Sequence, residues 1–288
     1  VPGSVTAPAP ICMPGFADAL GEADFARLAA FINSHAGIKM PPSKRSFLEG
    51  RLRRRVIALG FATFNDYCRH LFDGNGLSQE AVHLIDCVTT NKTDFFREPH
   101  HFDYLAQSVL PDMMGWGNGQ PMRLWSAGCS NGAEPYTMAM VCEDFAQTKP
   151  QFRYEIIASD ISVSMLQHAS RAIYPHHEIE PVPVEMRKRY LLRNPEKNTV
   201  RIRQELRGKV SFAHINLMDQ VYGLRQPMDV IFCRNLLIYF DKPTQQAVLE
   251  KLCAHLKTGG TLFLGHSESI TGMDLPLKSR GATIFMKE

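Results

Sequence analysis

The sequence is poor in the features that would narrow its function at once. No apolar run approaches the roughly 18 residues of a transmembrane helix, so no direct insertion into a membrane is expected. The opening "VPGSVTAPAPICMPG" lacks the basic start and long apolar stretch of a secretory signal and reads as a disordered tail over 1–20. Seven cysteines, at 12, 68, 87, 129, 142, 233 and 253, form no CxxC pair and no paired Cys/His spacing. That excludes a recognisable zinc site and suits a reducing cytosol. A net charge of +3 is too small to imply nucleic acid unless the basic residues cluster. No internal repeat is present. What remains is a chain of 288 residues, 44% hydrophobic, long enough for one large domain or a large and a small one.

Residues 21–90 carry only helical patterning. "DFARLAAFINSHAG" puts Phe25, Leu28, Ala29 and Ile32 on one face and stops at Gly37. "SKRSFLEGRLRRRVIALG" follows, with Phe47, Leu48, Leu52, Val56 and Leu59 as its apolar stripe, and "TFNDYCRHLF" and "LSQEAVHLIDCVTT" complete a small helical domain. Residues 91–120 form a passage with a helix in its second half and a Gly-rich exit. From 121 to 288 the grammar changes to strand, glycine turn, helix, strand: "MRLWSA", "YEIIASD", "VSFAHINL", "MDVIFCRN" and "GTLFLGH" are the strands. That alternation predicts a doubly wound α/β domain with a mainly parallel sheet, whose ligands sit beyond the carboxyl ends of the strands. Residues 173–209 interrupt it with prolines and an alternating "TVRIRQEL", and read as a β-rich insertion.

Four strand ends carry polar residues. After "RLWSA" comes Gly128-Cys129-Ser130-Asn131-Gly132, then Glu134; this is neither a complete GxGxxG nor a Walker loop, so a phosphate cradle is disfavoured. On the glycines alone, a seat for an amino-acid or nucleoside group and a plain tight turn are equal alternatives. "YEIIASD" ends in Asp160, 28 residues beyond Gly132, where an acid can take both hydroxyls of a ribose; the other reading is a helix N-cap before "ISVSMLQHA". Asn216 and Leu217 end the next strand, where an adenine edge and face could meet them. Arg234 and Asn235 end the fourth, with Tyr239 just beyond; Tyr239 also fits a core tyrosine.

Together, "NKTDFFREPHHF", "WSAGCSNGAEPYT", "ASDIS", "NL", "FCRNLLIYFD" and "LKTGGTLFLGHSES" resemble the chemotaxis receptor methyltransferases, the CheR family, in order across residues 90–269. The helical start with its arginine run resembles that family too. The resemblance implies a Rossmann-like class I S-adenosylmethionine-dependent methyltransferase domain with a small β-subdomain insertion, preceded by a small all-helical domain. It implies a cytoplasmic enzyme, recruited to membrane receptor arrays, that esterifies glutamate side chains on the cytoplasmic helices of chemoreceptors and releases S-adenosylhomocysteine, without a metal. By motif position, Asn91, Thr93 and Arg97 approach the cofactor, Gly128 lies in its turn, and Glu134 binds its amino group. Asp160 takes the ribose, Asn216 and Leu217 the adenine region, Arg234 and Asn235 complete the pocket, and Tyr239 lies near the sulfonium. The family usually has two acids before "PY", whereas here Ala133 replaces the first.

The chemistry of that reaction is undemanding in protons. A glutamate with a pKa near ~4.3 is already a carboxylate at neutral pH, so alignment and desolvation are the task, with Arg97 orienting the acceptor and Tyr239 the donor. Arg51, Arg54 and Arg55 fall at i, i+3 and i+4 and share a helix face. A solvated face is the plain reading; docking on an acidic receptor helix is the one the resemblance favours. The insertion corresponds to a β-subdomain that in some members of the family grips a receptor C-terminal peptide by strand addition. Two other functions stay open: methylation of another acceptor, and a receptor-binding module with weak catalysis. Base N-methylation would call for an "NPPY"-like tetrapeptide where "CRNL" stands, and an intact Glu134, Asp160, Arg97 and Tyr239 argue against a mere binding module.

Overall fold

A computed structural model describes residues 18–113 and 119–288, so residues 1–17 of the tail expected over 1–20 and part of the Gly-rich exit lie outside the described residues. The end of that tail is ordered: Asp18 accepts the Phe64 N–H and Leu20 is buried. The chain divides into two units: residues up to Phe31 with Met40–Val88, and Ile32–Lys39 with Thr89–Glu288.

The first unit is built from α1 (Glu22–Ala36), α2 (Arg45–Ala58), α3 (Phe64–Phe72) and α4 (Leu77–Val88). Thr63 caps α3, its Oγ1 accepting the Asp66 N–H at 3.0 Å while its hydroxyl donates to the Asp66 carboxylate at 2.7 Å. Phe25, Leu28, Leu48, Leu52, Val56, Phe64, Leu71 and Leu84 are buried. The predicted stripe of α2 is narrower than expected, because Phe47 and Leu59 are 37% and 38% exposed. Phe47 instead offers its ring to the Arg51 guanidinium, 5.0 Å away.

The arginine face also needs correction. Arg55 does not stand free beside Arg51 and Arg54: it makes a two-pronged pair with Glu80, Nε to Oε2 at 2.9 Å and Nη2 to Oε1 at 2.6 Å. Glu80 is buried, so Arg55 is its counterion first and a surface charge second.

The second unit begins with α5 (Pro99–Tyr104), one π-helical turn (Leu105–Val109) and α6 (Leu110–Met113). It continues as β1 (Met122–Ala127), α7 (Ala133–Thr148), β2 (Tyr154–Asp160), α8 (Val163–Arg171), β3 (Ile173–Pro175), α9 (Val184–Tyr190), β4 (Leu191–Asn194), β5 (Thr199–Ile202) and α10 (Gln204–Arg207). It ends with β6 (Val210–His214), β7 (Met228–Cys233), α11 (Lys242–His255), β8 (Leu256–Leu264), β9 (Leu277–Gly281) and β10 (Ile284–Lys287). The main sheet runs β6-β2-β1-β7-β8-β10-β9, parallel through β8 and antiparallel at β10 and β9. The chain moves outward from β1 through β2 to β6, then returns to the other side of β1 with β7, so β1 and β7 flank the topological switch point.

Both faces of this sheet are covered, and the strands show it. Val230 and Phe232 of β7 join Leu124 and Phe263 in one core, while Ile231 and Cys233 join Trp125, Leu262 and Leu249 in the other. Residues 173–209 form a separate antiparallel sheet, β3-β5-β4. Two features were not expected. "LKTGG" belongs to β8, where the register jumps from Met228↔Leu256 to Val230↔Thr261 and Lys257 reaches back to Asp229 at 2.7 Å. The β9–β10 pair was missed because "LKSRG" is mostly exposed and carries no apolar run.

Arg55→Ala strands the buried Glu80 carboxylate and should cost about 3 kcal/mol, whereas Arg55→Leu with Glu80→Leu should recover most of that loss. Urea midpoints of the full chain measure both; equal loss in the single and double variants would show that the pair is not the cause.

Candidate functional site around the β1–α7 turn

The turn after β1 is bound to its own protein. Gly128 and Cys129 both donate their N–H to the Ser159 carbonyl, at 2.7 and 2.8 Å, and Ser130 N–H donates to Asp160 Oδ2 at 2.8 Å. With these donors turned toward β2, the loop presents no nest of N–H groups, and a phosphate cradle is ruled out on geometry. Gly128 (φ 78°) and Gly132 (φ 92°) are required by conformation and by space. A Cβ on Gly128 would lie 2.2 Å from Leu236 Cδ1, and one on Gly132 would lie 2.8 Å from the Ala169 Cβ. The Cβ side of Gly128 is therefore filled by Leu236. Cys129 is fully buried and burial holds its thiol well above the ordinary value, so it is no nucleophile.

Glu134, in the first turn of α7, faces the switch point. Its Oε1 accepts from Ser126 Oγ at 2.7 Å and its Oε2 lies 3.3 Å from Arg234 Nη1. Burial raises its pKa; the Arg234 charge and the Ser126 hydroxyl offset that only in part. Arg234 follows β7 with its side chain 2% exposed. It also lies 3.3 Å from Glu98 Oε2, donates to the Arg97 carbonyl, and has the Phe102 and Phe232 rings 5.3 and 5.8 Å from its Cζ.

Asn235 adopts φ 59°. Its conformation is held by Glu268, a buried carboxylate whose Oε2 accepts the N–H groups of Asn235 (2.9 Å) and Gly265 (2.5 Å) and whose Oε1 accepts that of Leu237 (2.7 Å). Burial nonetheless raises the Glu268 pKa against those bonds. The Asn235 side chain donates to Glu98 Oε1 at 3.2 Å.

The remaining predicted residues lie along the same edge. Asp160 ends β2 and accepts Ser162 N–H through Oδ1 at 2.8 Å, but it is not the N-cap: Ser162 caps α8 by accepting Met165 N–H. Asn216, just past β6, spends its side-chain amide on the protein, donating to the His35 carbonyl at 2.6 Å and accepting Met218 N–H at 3.0 Å. The Asn216 amide is thus partly engaged by the protein, with a second N–H on Nδ2 beyond the one given to His35. Leu217 is 9% exposed, and its carbonyl accepts from Tyr222 and Lys251. Asn91 is tied to the turn through its carbonyl, which accepts from Ser130 Oγ at 2.8 Å, and Thr93 is half-buried in the same irregular segment. Arg97 donates from Nη1 to the Lys92 carbonyl at 2.9 Å. Tyr239 is half-buried, its carbonyl accepting Lys39 N–H at 3.2 Å.

The structure thus brings Arg97, Glu134, Arg234 and Asn235 together, and separately joins Asn91 to Asp160 through Ser130. Sequence reasoning missed Ser126, Ser130, Glu98, Glu268 and the segment His35–Lys39. Glu98 and Glu268 lay inside quoted motifs, but an acid in a loop gives no sign of what it will face. Gly128→Ala should lower stability by about 2 kcal/mol or more, from strain at positive φ and collision with Leu236. Adding Leu236→Ala should restore the part due to collision, and an undiminished urea midpoint in Gly128→Ala alone would refute the packing.

Comparison with known proteins gives this arrangement a family. Residues 23–89 match the CheR methyltransferase, all-alpha domain, and residues 91–286 match the CheR methyltransferase, SAM binding domain. The chain is 40% identical to the chemotaxis protein methyltransferase of Escherichia coli over 93% of its own length and 91% of that protein. It is 38% identical to that of Salmonella typhimurium, over 93% and 91%, and 35% identical to that of Borreliella burgdorferi, over 86% and 89%. The chain belongs to the CheR family and is an S-adenosylmethionine-dependent methyltransferase of chemotaxis.

Proposed function

We propose that this enzyme esterifies glutamate side chains on the cytoplasmic helices of chemoreceptors, with S-adenosylmethionine lying along the carboxyl edge of the main sheet. The observation that carries the reading is the order of residues across that edge. Asn216 and Leu217 follow β6, Asp160 ends β2, and Glu134 follows β1, on three adjacent strands. Strands lie about 4.8 Å apart, so the three positions span about 10 Å, the scale of an adenine, a ribose and an amino-acid end in series.

The donor set fits those groups. Glu134 is a largely buried acid, its side chain 12% exposed, with an adjacent cation shared with Glu98, so the cluster Glu98, Arg234, Glu134 carries one surplus negative charge. A buried surplus of that sign is costly alone and suits an ammonium group. Asp160 holds its carboxylate plane by two backbone N–H bonds, as a ribose diol requires. Leu217 and the backbone around Asn216 border the adenine region, Asn91, Thr93, Gly128 and Asn235 line the turn side, and Tyr239 stands near the reacting methyl. When bound, the cofactor supplies an electrophilic methyl group, and the acceptor carboxylate needs no base. Arg97 has further N–H donors beyond the one given to Lys92 and orients that carboxylate.

Receptor engagement rests on the first unit and the small sheet. Arg51 and Arg54 are exposed on α2, and since Arg55 serves Glu80 the docking face narrows to these two. In the small sheet β4 is an edge strand with Leu192 47% exposed, which suits strand addition by a receptor C-terminal peptide. Among the described residues no helix is long and apolar enough to cross a membrane, in keeping with a cytoplasmic enzyme recruited to receptor arrays.

Labelled methyl groups should pass to receptor cytoplasmic fragments and be released by mild base; base-stable label would reject a carboxyl ester. Arg51→Glu with Arg54→Glu should slow that transfer while leaving calorimetric S-adenosylhomocysteine binding unchanged, and loss of both would point to misfolding rather than docking. Because the folded Glu134 pKa is raised and the ammonium needs the ionised form, S-adenosylhomocysteine affinity should fall on acidification earlier than an ordinary glutamate would allow. Glu134→Gln should bind weakly and lose that pH dependence; an unaltered profile in the variant would remove Glu134 from the site.

A further inference from the structure

Glu98, counted above only for its charge, is delivered to Arg234 by a bent backbone. Phe96 and Glu98 both have positive φ, 53° and 57°, an unfavourable conformation for residues with a Cβ. The result aims the Arg97 carbonyl and the Glu98 carboxylate at the same guanidinium. Glu98 is held there by Asn235 Nδ2 at 3.2 Å and His266 N–H at 3.4 Å. Arg234 is equidistant from its two acids, 3.3 Å to Glu98 Oε2 and 3.3 Å to Glu134 Oε2.

We propose that Glu98 is a positioning residue that divides the charge of Arg234, leaving Glu134 with the negative charge that receives the amino group of the cofactor. This rests on the reading of Glu134 given above. With one guanidinium and one carboxylate the cluster would be neutral and Glu134 would be spent on Arg234; the second carboxylate makes the cluster net negative. The neighbouring titratable groups do not cancel that surplus. His101, whose Nδ1 lies 3.4 Å from Glu98 Oε2, is kept uncharged at neutral pH by burial and by Arg234, which push its pKa down to about 3. His100 is lowered as well, first by burial and then by His266, which is exposed. The Arg97 guanidinium also acts on Glu134, but it turns to the Lys92 carbonyl at the exposed edge, where solvent screens its charge.

The test separates the amino-acid end of the ligand from the rest. S-adenosylhomocysteine and 5′-methylthioadenosine share the adenosine and the thioether, and only the first carries an ammonium. In the full chain, Glu98→Gln should weaken S-adenosylhomocysteine about tenfold, the size of one partly screened charge, and leave 5′-methylthioadenosine unchanged. Glu98→Asn, neutral and tolerant of positive φ, reads the same ratio should the glutamine variant fail to fold. Glu98→Asp, which keeps the charge, should retain the preference for S-adenosylhomocysteine. Equal weakening of both ligands, or no weakening of either, would overturn the proposal. Glu134→Gln is the control: if it keeps the wild-type preference, the reading of Glu134 itself fails, whereas if it loses the preference and Glu98→Gln keeps it, only the role of Glu98 fails.

Discussion

A guanidinium whose side chain is 2% exposed needs acids and carbonyls around it, and the carboxyl edge of this sheet is arranged to supply them to both its Nη atoms. Arg234 arrives from β7, Glu134 from the start of α7, and Glu98 with the Arg97 carbonyl from the segment before α5. Three pieces of chain distant in sequence are thereby fixed at the β1–β7 switch point. The Phe102 and Phe232 rings close the apolar side, so water cannot substitute for a missing partner. Because the acids paired with Arg234 outnumber it, a further positive group nearby is favoured, which is the basis of the ammonium seat proposed above.

Glu268 does for the backbone what Arg234 does for the side chains. Its carboxylate gathers N–H groups from Asn235, Leu237 and Gly265, which holds Asn235 at positive φ and sets the path from Arg234 to Tyr239. That path in turn puts Leu236 into the space that Gly128 leaves by having no Cβ. The glycine turn after β1 and the loop after β7 are therefore one packed unit. Neither can be altered without the other, which accounts for glycine rather than a residue with a side chain at 128.

The layout of the sheet was legible because parallel strands buried on both faces leave long apolar runs, as in "MDVIFC". The β9–β10 pair left no such trace, since it is half-exposed and held by backbone bonds. The acids and arginines of the site were legible as residues at strand ends, but their partners were not. Nothing in "FFRE" says that Glu98 turns inward while Arg97 turns out, because that depends on two left-handed residues whose conformation only the tertiary contacts enforce. Asn216 shows the same limit: its place at a strand end was legible, but its bond to the His35 carbonyl, far off in sequence, was not.

The alanine at 133 gains its meaning from the same geometry. Of the two positions before "PY", it is 134 whose side chain meets Ser126 and Arg234, while Ala133 is 1% exposed and packs in the apolar cluster with Tyr136 and Phe95. Its N–H is satisfied by the Asn131 side chain at 3.1 Å, so the helix start needs no acid there. The second negative charge at the switch point comes instead from Glu98, on a different segment. Replacement of the first acid by alanine therefore leaves the charge balance around Arg234 intact, and with it the seat proposed for the amino end of the cofactor.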